Sequence, residues 1–241
     1  MASLLFVALT AIGLIFVLTT ELDRRADERQ NLNNLGTVVA SSLERQLEAS
    51  LSSTFILASL IRQSEDLMIR DFDFVAADLI ETFGGIDSLQ LAPTGIVSQI
   101  YPLEGNEQAI GHGLLNDPAR RAESLKTIES GRLTLTGPLE LVQGGTAVIG
   151  RLPVFLPGDQ GVERFWGFTI ALIRLSNLLA PTELALVAEQ GHYYWLSRVR
   201  PDTGQPDVFA SVTEGNIQDL VTFNIEVPRN TPSRGAGQAR S

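Results

Sequence analysis

The chain has 241 residues, of which 44% are hydrophobic, enough to bury one large core or two small ones. A formal net charge of −10 sets most of the surface against a phosphate backbone, which excludes nucleic acid as a natural partner. With no cysteine, the chain has no disulfide, no thiolate nucleophile and no cysteine-held zinc.

Residues 1–20, MASLLFVALTAIGLIFVLTT, carry no charged side chain. A helix of about 20 such residues spans roughly 30 Å of hydrocarbon, which predicts a transmembrane anchor. A cleaved signal peptide is the competing reading, but no basic segment leads the run and no A-x-A site precedes Glu21. From Leu22 to about Ser64, the apolar positions Leu32, Leu35, Val39, Leu43, Leu47, Leu51, Phe55 and Ala58 recur at steps of three or four. That spacing predicts a long helix with one apolar face, about 40 residues and roughly 60 Å long. The face either packs on the domain or pairs with a second copy of the chain, as a stalk continuous with the membrane span. A second helix is predicted from Asp71 to Phe83, closed by Gly84-Gly85, so that residues 21–83 form the stalk and this helix.

The hydrophobic period then falls to two. IDSLQLAPTGIVSQIYP (86–102) predicts a hairpin turning at Ala92-Pro93-Thr94-Gly95. A loop rich in glycine and in acidic and amide side chains follows. Asp117 suits an N-cap and Pro118 the first position of the helix PARRAESLKTIES, which Gly131 ends. Strands are predicted at Leu133–Thr136, at Leu139–Gln143 and, after a Gly144-Gly145 turn, at Thr146–Phe155. A loop over 156–163 leads to a strand at Arg164–Ile173. This order predicts an α+β domain with one mostly antiparallel sheet. A second unit begins near Leu175, with short helical pieces, a hairpin of HYYWLSRV (192–199) and DVFASV (207–212), and a helix-to-strand piece over 215–228. The tail 229–241 has no apolar residue larger than alanine or proline and is expected to be disordered.

Three blocks, YPLEGNEQAIGHGLLNDPARR, LTGPLELVQGGTAVIGRLPVF and RFWGFTIALI, resemble in order and spacing the CHASE domain. That module is the extracytoplasmic sensor of cytokinin receptors and of many bacterial signalling proteins. With its flanks, the resemblance covers about residues 20–228. It implies a long N-terminal helix and two PAS-like subdomains with antiparallel sheets, a membrane-distal one over 84–174 and a membrane-proximal one over 175–228. It further implies a bacterial plasma-membrane protein whose domain faces the periplasm or exterior. A small molecule would bind the distal subdomain, and a cytoplasmic diguanylate cyclase or histidine kinase would answer. Family-like sequence ends near Pro228, so the chain reads as truncated before a second span and the output domain. It departs from the family pattern at Gly113, where an acidic residue usually follows Gly-His.

Within the loop, Glu104, Asn106 and Glu107 offer hydrogen-bond partners to a ligand, or they cap turns and bond loop backbone. His112 either contacts a ligand or bonds within the loop. Tyr101, Thr136 and Gln143 are further candidates on neighbouring strands. Arg151 lies between Gly150 and Leu152 in a strand; facing inward, it needs an anionic ligand group or a partner such as Glu104 or Glu140. Phe165, Trp166 and Phe168 suit the core. His112 and His192 are the two histidines and lie far apart in sequence, so no metal site is expected, nor any cofactor. GHGLLN begins a dinucleotide fingerprint but lacks its third glycine and its βαβ unit, and no enzyme motif is present. Two classes remain. One is a ligand-sensing receptor module, homodimeric through the long helix. The other is a structural or interaction protein that dimerises or pairs with another sensor, its pocket filled by Tyr101, Phe155 or Phe165.

Overall fold

The structure is a computed structural model that describes residues 2–64, 69–141, 145–158, 162–182, 184–189, 193–199, 205–212 and 221–225. They form two compact units, Met1–Ser41 with Glu183–Ile225, and Ser42–Thr182.

The long helix α1 runs Ala2–Gln63. In the Ser42–Thr182 unit it buries Leu43, Leu47, Leu51 and Ala58 of the face that the three-and-four spacing marks, and Leu57 and Ile61 besides, while Phe55 is half-buried. Helix α2 (Phe72–Phe83) ends at Gly84 with φ 65°, a conformation glycine adopts without steric cost. The Ser50 hydroxyl donates to the Gly84 carbonyl at 3.2 Å and ties the end of α2 to α1.

The sheet follows. Strands β1 (Ser88–Pro93), β2 (Gln99–Tyr101), β3 (Thr134–Glu140), β4 (Thr146–Pro157) and β5 (Glu163–Arg174) lie in the order β2-β1-β5-β4-β3. Every neighbouring pair is antiparallel, so the α+β expectation holds. Two details differ from the sequence reading. The two short strands expected around Gly137-Pro138 are one strand, β3, whose ladder shifts between Thr136 and Leu139 because proline has no N–H to donate. Strand β4 runs on to Pro157 against the start of β5, which shortens the connecting loop.

Helix α3 (Pro118–Ser130) begins and ends as its sequence dictates. Asp117 Oδ1 accepts the Ala119 N–H at 2.9 Å, and Gly131 closes the helix at φ 63°. A short α4 (Leu175–Leu179) completes the unit. Asp87 holds it in place through the backbone N–H and side chain of Arg174 and through the Asn177 amide.

In the other unit, α5 (Leu184–Glu189) precedes the hairpin β6 (Tyr194–Val199) and β7 (Pro206–Val212). Among the described residues this second sheet has two strands. Of the helix-to-strand piece expected over 215–228, the described residues are Val221–Ile225, which have no regular structure. The Phe223 ring lies against Gly36 of α1, where a β-carbon would collide with it. Arg24 bridges Glu21 and Glu28 along the exposed helix surface. No helix among the described residues is long and apolar enough to cross a membrane. The side chains of residues 1–18, on which the expected anchor rests, lie outside the described residues, as does the tail 229–241.

Candidate functional site

The five-stranded sheet has two faces of different character. A β-carbon on Gly150 would collide with Leu51 of α1, and the Thr169 hydroxyl donates to the Thr54 carbonyl at 2.9 Å. Residues 150, 152 and 154 of β4 and 169 and 171 of β5 therefore face α1. Side chains alternate along a strand, so Ile149 and Arg151 point to the opposite face, with Phe168, Ile170 and Leu172. Directly paired residues share a face, which adds Thr134 and Thr136 from β3 and Ser88, Gln90 and Ala92 from β1. Helix α3 and the loop around Leu114 and Leu115 cover this second face.

Arg151 lies at its centre and is 1% exposed. Its Nη1 donates to the Ser124 hydroxyl of α3 at 3.0 Å, and its guanidinium carbon sits 5.6 Å from the centroid of the Phe168 ring. Its Nε is buried and has no hydrogen-bond partner. Burial pushes the guanidinium down to about 10, against a smaller upward pull from Glu123 and a downward one from Arg120. Glu123 acts through space and makes no ion pair with it. The two carboxylates proposed from sequence as partners are elsewhere. Glu104 is exposed in the loop, and Glu140 accepts the Thr146 hydroxyl at 2.8 Å.

Around Arg151 the surroundings are unusually polar for a core. Ser124, Thr127 and Thr136 are buried. The Thr127 and Thr134 hydroxyls meet at 2.5 Å. On α3 the buried face carries hydroxyls beside Ile128: Ser124 and Thr127 are 0% exposed, whereas Leu125 is 45% exposed. Gln90 and Ser88, also buried, bond each other at 3.4 Å on the same sheet face. Of the polar residues on this face, Thr136 and Arg151 were candidates from the sequence, whereas Ser88, Gln90, Ser124, Thr127 and Thr134 were not. A signal existed for two of them, since hydroxyls three apart in a helix share a face.

The other candidates divide. Tyr101 pairs with Leu89 and so faces the α1 side, away from Arg151; its place on a strand was legible, its face was not. Asn106 donates to the Pro102 carbonyl at 3.0 Å, and Glu107 accepts the Gly105 N–H at 3.2 Å. His112 Nε2 lies 3.1 Å from Asp117 Oδ2, the carboxylate that caps α3. Backbone bonds between Gly111 or His112 and Val97, and between Leu114 and Gly95, fold the loop onto the hairpin turn. Asn106, Glu107 and His112 thus have partners within the loop or at its Asp117 end. Gln143 and His192 lie outside the described residues.

Phe165 stacks edge-to-face on Phe168 at 5.0 Å and on Phe155 at 5.8 Å, filling the end of this face beyond Arg151. A cavity of about 300 Å³ lies away from Arg151, bounded by Gly145, Thr146, Arg174, Leu175, Ser176 and Leu179. It has no buried unsatisfied polar group, so chemistry favours the Arg151 face over this open recess. Among the described residues no three metal-ligating side chains cluster.

The profile of the CHASE domain family matches residues 21–198. An extracellular ligand binding receptor from Desulfohalobium retbaense DSM5692 has a similar fold, with a TM-score of 0.52 and 16% identity, covering 68% of this chain and 29% of that one. This chain thus spans under a third of that receptor's length. The ligand-binding domain of the Pseudomonas aeruginosa PAO1 amino acid chemoreceptor PctC, solved with GABA, gives 0.49 and 20% identity over 70% of this chain and 72% of that one. The E. coli DcuS sensor domain gives 0.38 and 11% over 58% and 97%. No curated protein sequence matches.

Proposed function

Because the chain belongs to the CHASE domain family, we propose that it is an extracytoplasmic module that senses a small molecule on the α3 side of its five-stranded sheet. The observation that carries this reading is Arg151, a cation 1% exposed with an unpartnered Nε and no ion pair. A folded protein rarely retains such a group without use for it. The sheet itself links site and stalk. One face holds Arg151; the other touches α1 through Gly150 against Leu51 and through Thr169 to Thr54. A ligand that shifts α3 or β4 would change the seating of α1. The uncharged run of residues 1–20 supports anchoring in the plasma membrane, and the long helix supports pairing with a second copy. Coupling to a cyclase or kinase output is the role that such a pair would serve.

The test is a fusion of alkaline phosphatase after residue 228. The reading expects an active enzyme that sediments with membranes. An inactive fusion recovered in the soluble fraction would overturn it. The second reading, a partner-binding module without a ligand, draws on the Phe155–Phe165–Phe168 stack, which fills part of the same face.

A further inference from the structure

Arg151 is the one fully buried charge among the described residues, with half-buried Glu123 and Arg120 of α3 acting on it through space, and its surroundings limit what answers it. Among the described residues no aspartate or glutamate is buried; the buried polar side chains are serine, threonine, glutamine and Arg151. A zwitterionic ligand would therefore bring an ammonium group with no buried counter-charge to meet it. A phosphate dianion would bring twice the charge that one guanidinium neutralises. The N-terminus of α3 offers no second anion site, because the Asp117 carboxylate already occupies it. Arginine presents its donors as a flat fork that matches a carboxylate. Nη1 donates to Ser124, and Nε is a buried donor with no partner. Beside it lie Phe168, Ile149 and Ile170, an apolar floor.

From this we infer that the ligand is a singly charged organic carboxylate without an ammonium group, held at the Nε edge of Arg151 with its apolar or aromatic body along the Phe168 side of the sheet. The inference rests on the sensing reading above and narrows it. Helix α3 is the element that yields to admit the ligand. Its fully buried side chains at the site are two hydroxyls, Ser124 and Thr127, and Ile128 is its one apolar side chain packed on the core there, so displacing it uncovers a single large apolar side chain. The ligand oxygen then takes over a guanidinium that Ser124 satisfies in part.

The test uses the full chain in detergent, with phenylacetate, benzoate, phenylacetamide and phenylalanine as probes, read by thermal midpoint and calorimetry at constant ionic strength. The two carboxylates are expected to raise the midpoint by several degrees at saturation, on the order of what a hundredfold excess over Kd confers. The amide and the amino acid are expected to bind at least about tenfold more weakly. Arg151→Met is expected to lower phenylacetate affinity on the order of a hundredfold, and Arg151→Lys, which keeps the charge but not the fork, about tenfold. Ser124→Ala frees Nη1 and is expected to retain or tighten binding, which separates loss of the anchor from loss of the fold. Equal binding of phenylacetamide, or unchanged affinity in Arg151→Met, would overturn the carboxylate assignment and leave the sensing reading intact. A wild-type chain that none of the carboxylates shifts would overturn the inference as well, while the fusion experiment judges the wider reading separately.

Discussion

Replacing Arg151 by methionine tests what this side chain contributes to the unliganded fold. Held at about 10, well below its ordinary value, the guanidinium carries roughly 3 kcal/mol of burial cost. Two contacts offset it. The hydrogen bond to Ser124 at 3.0 Å contributes about 1.5 kcal/mol, and the stacking over Phe168 at 5.6 Å about 1 kcal/mol. The balance is close to zero, and methionine refills the volume with a flexible apolar chain. Arg151→Met is therefore expected to leave stability within about 1 kcal/mol of wild type, a midpoint change of about 2–4 °C in either direction. Thermal and urea unfolding of both proteins without ligand measure it. A loss of 3–5 kcal/mol, as when a well-paired buried ion loses its partner, would refute the reasoning and make Arg151 a satisfied structural cation.

Its pH dependence follows from the same shift. Above about pH 10 the unfolded chain still holds the Arg151 proton that the folded chain releases, so wild-type stability gains on Arg151→Met as the pH rises. Below pH 10 the difference is flat; unfolding midpoints of the pair from pH 8 to 11 check this. Asp117→Ala is expected to cost about 1 kcal/mol by uncapping α3, whereas Asp117→Asn keeps the cap and loses only the His112 contact, a difference that urea titration resolves. Gly150→Ala is expected to cost about 1–3 kcal/mol, because the added carbon meets Leu51. Combined with Leu51→Ala the two losses are expected to total at least about 1 kcal/mol less than their sum, and strict additivity would contradict the packing described.

Local signals carried much of the fold. The spacing of Leu43, Leu47 and Leu51 marked the buried face of α1, and Asp117-Pro118 with Gly131 bounded α3, because capping and periodicity are short-range physics. Gly137-Pro138 misled, since a proline reads as a strand end while the backbone here passes through it with a shifted ladder. The site was legible only in part. An arginine between Gly150 and Leu152 announced an inward charge, but which neighbours met it depended on register across three strands. That register placed Thr134 beside Arg151, and it placed Tyr101 on the other face. Loop composition drew attention to Glu104, Asn106, Glu107 and His112, yet such residues serve turns as readily as ligands, and here Asn106, Glu107 and His112 have partners within the loop or at its Asp117 end. Ser124 and Thr127 were the stronger clue, as hydroxyls on the buried face of a helix whose Leu125 points outward.

The most direct test of the Arg151 site is a nitrogen-15 spectrum of the arginine Nε–H groups in the full chain. The Arg151 cross-peak is identified by its loss in Arg151→Met. Titration with phenylacetate is expected to move that peak downfield and slow its exchange with water, as the unpartnered Nε gains an acceptor. If the thermal midpoint rises while the Arg151 peak stays where it was, the ligand binds elsewhere and the site assigned here is wrong.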